Sequence, residues 1–225
     1  DGDNNVAVGM NALSTETRAD RNVAIGSHAL HTQNVGTDSD TYNTAVGHNA
    51  GYSVTTGIQN TLIGGLAGDA LTDADLNVAV GYQALSSDTK GSRGVAIGYG
   101  ALFSQNFTTS TDAFNTAVGS LAGEANATGV SNTFIGGLAG RNVTGGSNTA
   151  VGAAAMDAAV SGSQNTAVGV NALGAANGAA NNNTGEVDDY EKKAVHEVRP
   201  KQIAIPHQFF SLPSKMTSSA RGQHV

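Results

Sequence analysis

A nine-residue motif, N-[VT]-A-[VI]-G-x-x-A-[LG], recurs ten times between Asn5 and Leu173 and limits the chain to a stacked architecture. Successive copies begin 16, 17 or 21 residues apart. The copies start at Asn5, Asn22, Asn43, Asn60, Asn77, Gly94, Asn115, Asn132, Asn148 and Asn165. A unit this short cannot bury its own apolar side, so we expect consecutive units to stack around one continuous core.

A longer period lies on top of the first. The copy at Asn60 (NTLIGGLAG) nearly repeats at Asn132 (NTFIGGLAG), and the 21-residue step falls at the same place in both sets. We therefore divide the repeat into two four-unit blocks, 5–76 and 77–147, followed by two further units.

The segment N-T-A-V-G predicts a short strand, because it is rich in β-branched residues and ends at glycine. Side chains alternate between faces, so the second and fourth positions share one face and Asn, Ala and Gly share the other. We expect the small-residue face to pack closely against copies of the chain, in a trimer about the solenoid axis. The fourth- and fifth-position residues predicted as the structural repeat core are Val8, Ile25, Val46, Ile63, Val80, Ile97, Val118, Ile135, Val151 and Val168, with Gly9, Gly26, Gly47, Gly64, Gly81, Gly98, Gly119, Gly136, Gly152 and Gly169.

The predicted fold is thus all-β: a parallel β-solenoid of about ten turns of 16–21 residues, occupying residues 1–173. Residues 174–185 (GAANGAANNNTG) are of low complexity and are interpreted as a linker. Residues 186–225 form a non-repetitive tail that contains all three prolines.

Two features of the tail suggest contacts. Residues 186–198 have apolar side chains at helical spacing and predict a short helix. After it comes the densest group of large apolar residues in the chain, and we expect these residues to cap the solenoid or to bind a neighbouring subunit or another structural protein. They are Ile203, Ile205, Phe209 and Phe210.

Composition excludes several classes of protein. The chain has no Cys, which excludes disulfides, thiolate zinc sites and a cysteine nucleophile. Its net charge of −7 argues against nucleic-acid binding, and no apolar run is long enough to span a membrane. No set of nucleophile, base and acid is visible, so we predict neither an enzyme nor a cofactor. The loop acids Asp38, Asp40 and Asp112 leave Ca²⁺ as a less favoured alternative, since they lack an EF-hand pattern.

The motif resembles the head repeat of trimeric autotransporter adhesins of the YadA type, and similar repeats occur in bacteriophage tail fibres. This resemblance implies a left-handed parallel β-roll in which three chains form one head. The repeats here are longer than the family's usual 14 residues, and neither a long coiled-coil stalk nor a membrane β-barrel anchor is visible.

We therefore expect an extracellular structural or adhesive fibre on a virion or cell surface that binds a host glycan or protein receptor through many weak contacts. One alternative is a filament subunit joined through its tail. A more remote alternative is an ice-binding solenoid, suggested by a threonine column that valines interrupt.

Overall fold

The computed structural model describes residues 2–158, 161–174 and 181–185. The chain divides into two units, Asp1–Val195 and His196–Val225, and every described residue lies in the first. The predicted all-β parallel solenoid is confirmed: eleven short strands, one from each turn, form a single parallel sheet. These strands are β1 (Val6–Val8), β3 (Val23–Ile25), β5 (Thr44–Val46), β6 (Thr61–Ile63), β7 (Val78–Val80), β9 (Val95–Ile97), β11 (Thr116–Val118), β12 (Thr133–Ile135), β13 (Thr149–Val151), β14 (Thr166–Val168) and β15 (Thr184–Gly185).

Neighbouring turns align by motif position whatever the length of the step between them. Ala24 pairs with Ala45 across a 21-residue step, and Phe134 pairs with Ala150 across a 16-residue step. The loops therefore absorb the differences in length. The two long steps also add two-stranded parallel sheets, β2 (Ala19–Asp20) with β4 (Ser39–Asp40) and β8 (Gly91–Ser92) with β10 (Thr111–Asp112).

An eleventh, partial turn continues the stack. Thr184 pairs with Thr166, and the backbone N–H of Asn183 donates to Asn165 Oδ1 at 3.0 Å. The interpretation of residues 174–185 as a linker is therefore corrected at its end, since residues 183–185 repeat the motif as N-T-G.

The interior of the solenoid is built from alanine and leucine. From the second turn onward the third- and eighth-position alanines, such as Ala45 and Ala50, are fully buried within one chain, and leucines such as Leu30 pack against them. The small-residue face is thus the inside of the single chain, not a surface that meets other copies. Alanine fits the narrow interior of most turns, and a larger side chain is accommodated only where a neighbouring residue is small.

This packing corrects the predicted repeat core. The fourth-position Val and Ile column joins the sheet but points outward, and its members are exposed or half-buried. The fifth-position glycines do contact the next turn: a Cβ on Gly81 would lie 2.5 Å from the Gly98 carbonyl oxygen.

Glycine at the ninth position makes room for larger side chains in the core. A Cβ on Gly51 would lie 2.7 Å from Leu62 Cδ1, and one on Gly123 would lie 2.7 Å from Phe134 Cδ2. Leu62 and Phe134 occupy corresponding places in the two blocks and are fully buried. The ninth motif position is therefore glycine, not leucine, where a large third-position side chain of the neighbouring turn needs the space.

A ladder of buried asparagines joins the turns. The Asn60 side chain donates to the Ala74 carbonyl (2.8 Å) and accepts from the backbone N–H of Asn77 (3.0 Å). The pattern repeats along the column, which explains why the first motif position is so often Asn.

The helix predicted for 186–198 lies outside the described residues. So do the contacts predicted for Ile203, Ile205, Phe209 and Phe210.

Candidate functional site

The outward face of the long sheet runs through all ten turns of the described repeat. Its second position is Val or Thr and its fourth is Val or Ile in each of the ten turns, so no charged side chain interrupts it. In the single chain Val8 is 57% exposed, Ile63 39% and Ile97 37%. An exposed apolar surface of this extent marks a contact with another molecule. The second-position threonines, such as Thr44, Thr61 and Thr116, face outward on the same surface. They form the threonine column that suggested the ice-binding alternative.

Aromatic side chains lie beside this face. Tyr82 and Tyr99 come two residues after the outward Val80 and Ile97, and their rings are nearly parallel, with centroids 6.1 Å apart. Arg21 and Tyr42 each directly precede the asparagine that begins a motif copy. The Arg21 guanidinium lies 5.6 Å from the centroid of the Tyr42 ring. This second pair recurs one block later as Arg93 and Phe114.

Ion pairs join adjacent turns. Arg21 contacts Asp40 at 2.6 Å and Arg93 contacts Asp112 at 3.0 Å, again at matching places in the two blocks. Two of the three loop acids considered for Ca²⁺ are therefore already paired with guanidinium groups. Among the described residues, no group of three or more acidic or histidine side chains is arranged to hold a metal ion.

The structure brings together the three histidines of the repeat region, which lie on adjacent turns. The ring centroid of His28 is 5.3 Å from that of His31 and 6.4 Å from that of His48. Ser14 Oγ is 2.7 Å from His31 Nδ1, a contact that no local motif in the sequence signals. No carboxylate completes this pair among its hydrogen-bond partners in the described chain, so the three groups of a hydrolytic triad are not assembled.

Asp88 and Asp69 are among the carboxylates withdrawn from solvent. Asp88 is fully buried and accepts backbone N–H groups from Gly91 and Phe107 at 3.0 Å, while its Oδ2 accepts from Gln105 at 2.6 Å. Partial burial raises the pKa of Asp69 above its ordinary value. Among the described residues, neither carboxylate has a second acid as a hydrogen-bond partner.

Nothing in the described part of the chain forms a helix long and apolar enough to cross a bilayer. The chain matches no family model, no curated protein and no solved structure. What is established is the fold, a parallel β-solenoid of about ten turns. One of its faces carries no charged side chain at the second and fourth motif positions.

Proposed function

We propose that this chain is the rigid part of an extracellular fibre or adhesin in which three parallel copies pack their uncharged sheet faces together. The observation that carries the proposal is the uninterrupted column of outward Val and Ile side chains, each exposed or half-buried in the single chain. A lone chain would leave this column in water, and covering it with identical columns buries apolar surface in every turn. The resemblance to YadA-type head repeats and phage tail fibres supports the same arrangement.

The rest of the surface, which includes exposed aromatic side chains such as Tyr42 and Phe114, would stay accessible in such a bundle. In a rigid trimer each copy presents the same surface at the same height. Repeated weak contacts with a receptor would therefore add up to strong binding through avidity. We propose no catalytic activity, and the receptor class remains a host glycan or protein.

The first prediction concerns assembly of the full chain. We expect light scattering at micromolar concentration to give three times the 22.5 kDa mass of one chain. Replacing Ile97 with Asp places three carboxylates at one level of the buried face, so we expect the Ile97→Asp variant to be monomeric with an unchanged circular dichroism spectrum.

The matched control is Thr109→Asp, which adds the same charge in an exposed loop and should leave the trimer intact. A monomeric parent chain, or an Ile97→Asp variant that stays trimeric, would remove the basis of the proposal.

A further inference from the structure

Block duplication creates an alignment problem for parallel copies of this chain. The outward fourth position alternates Val and Ile from turn to turn, and the second position changes between Val and Thr every two turns over the first eight turns. Both patterns coincide again after four turns. Strands four turns apart also have the same burial pattern, as in β3 and β9 or β6 and β12.

Two copies displaced by four turns would therefore match the first block of one against the second block of the other. Such a displacement shortens the overlap, but the overhanging turns can recruit further copies. The result would be an open-ended staggered fibre instead of a closed bundle. A feature that differs between the blocks is needed to distinguish these arrangements.

Tyr82 and Tyr99 are such a feature. Their counterparts in the first block are Met10 and Ser27. Residues Tyr82 and Tyr99 are 51% and 54% exposed, their ring planes differ by 7°, and neither hydroxyl has a hydrogen-bond partner among the described residues. A Cβ on Gly65 would lie 3.3 Å from Tyr82 Cδ2, so this ring lies against the backbone of the preceding turn. The pair forms a ridge across two adjacent turns of the stack, two residues past the outward Val80 and Ile97.

We propose that the Tyr82–Tyr99 ridge sets the axial register between copies of this chain, an inference that rests on the proposed parallel bundle. In register, each ridge lies at the level of its neighbours' ridges, where aromatic rings can pack together. With a displacement of four turns, the ridge of one copy meets Met10 and Ser27 of the next. The ridge therefore favours the closed assembly over the staggered one.

Cysteine cross-linking tests this directly, because the chain contains no Cys of its own. Full-length chains carrying either Ile63→Cys or Ile135→Cys are mixed in equal amounts, refolded together and oxidised. A disulfide requires closely placed Cα atoms, so bundles in register link only like positions, whereas a four-turn displacement links position 63 to position 135. Mass spectrometry of the linked peptides gives the ratio.

We expect links between unlike positions to be rare in this parent pair. In a Tyr82→Met, Tyr99→Ser background, which restores the residues of the first block, we expect their share to rise about tenfold because the aromatic contact is lost. The matched control is Glu124→Tyr, which removes another difference between the blocks, at the counterpart of Tyr52 and six residues past the outward Val118. It should leave the ratio unchanged.

The outcomes separate the two proposals. If the chain is trimeric and links like positions, but the share of links between unlike positions does not rise on the double substitution, the register inference is overturned and the proposed bundle is retained. Trimers without links between like positions overturn the assignment of the face, and with it the register. A monomeric mass without cross-links overturns both.

Discussion

The fifth-position glycines are needed for close approach of backbones. Gly136 has φ +131°, a region that side chains rarely adopt, and a Cβ there would lie 2.5 Å from the Gly152 carbonyl oxygen in the next turn. Its neighbour Gly137 is different: an added Cβ would meet nothing within 4 Å. Two adjacent glycines of the same turn therefore carry different constraints.

This contrast gives a prediction for a pair of variants. We expect Gly136→Ala to lower the free energy of unfolding by about 3 kcal/mol, through backbone strain and the contact with the next turn. We expect Gly137→Ala to change it by less than about 1 kcal/mol, with stabilisation from the stiffer unfolded chain as the favoured direction. Urea denaturation measures both. Equal losses would contradict the structural role assigned to the column.

The glycine column could be predicted from the sequence, but the left-handed leucines could not. Leu30 has φ +49°, and its N–H donates to the Ala50 carbonyl of the next turn at 3.0 Å. For a leucine this conformation costs about 1–2 kcal/mol, which local sequence argues against. The hydrogen bond that offsets the cost exists only after the turns have stacked, so no single repeat indicates it.

At the scale of the element, the strand period could be predicted but not which face lies inside. Val46 and Ile63 are the more hydrophobic residues, which favours their burial, yet Ala45 is the buried one. The width of each turn decides the matter, because opposing walls must close around the third and eighth positions. That width is set by the loops and the left-handed residues, which the alternation pattern does not encode. For the candidate site, the sequence therefore supplied the residues of the outward column but not their exposure.

Gln33 and Gln105 are corresponding buried residues of the two blocks, but their side-chain amides donate to different acceptors. Gln33 donates to the Thr41 hydroxyl at 3.0 Å, whereas Gln105 donates to the Asp88 carboxylate at 2.6 Å. The counterpart of Thr41 in the second block is Ala113, and there the buried carboxylate supplies the acceptor. The exchange is between distant positions of the sequence, so a motif based on local spacing does not reveal it.

These partners predict unequal losses on truncation. Gln105→Ala leaves the buried Asp88 without its side-chain donor, and we expect a loss of about 3–5 kcal/mol. Gln33→Ala leaves a neutral hydroxyl without a donor, and we expect about 1–3 kcal/mol. Chemical denaturation of the two variants provides the comparison. A larger loss for Gln33→Ala would show that Asp88 is held by its backbone donors alone.

At the scale of the whole molecule, each turn contacts the turns before and after it, as expected of a one-dimensional stack. The turn beginning at Asn132 corresponds to the turn beginning at Asn60, and each is followed by a turn of the same type. Turns beginning at Asn60 and at Asn148 should therefore be able to stack directly.

Deleting residues 77–147 tests this property. We expect the shortened chain to fold with β6 paired to β13, Thr61 opposite Thr149, because the new neighbours reproduce an existing interface. A deletion of residues 85–147 removes a similar mass but places the motif copy at Asn148 only eight residues after the copy at Asn77. Eight residues are too few to close a turn, and we expect this deletion to prevent regular stacking at the junction. Circular dichroism and resistance to proteolysis distinguish the two chains. Similar behaviour of both deletions would show that alignment by motif position is not what holds the turns together.

Loops of different lengths close turns of the same height, and this has a consequence for how such a molecule changes over generations. Steps of 16, 17 and 21 residues all advance the sheet by one strand, which is about 4.8 Å. Small insertions in a loop therefore change the cross-section of the solenoid but not its length, which is what we call its reach. Reach changes in units of whole turns, and recombination between the two similar blocks supplies four turns at once, about 19 Å. A lineage carrying this gene can adjust how far the protein extends without redesigning any contact inside it.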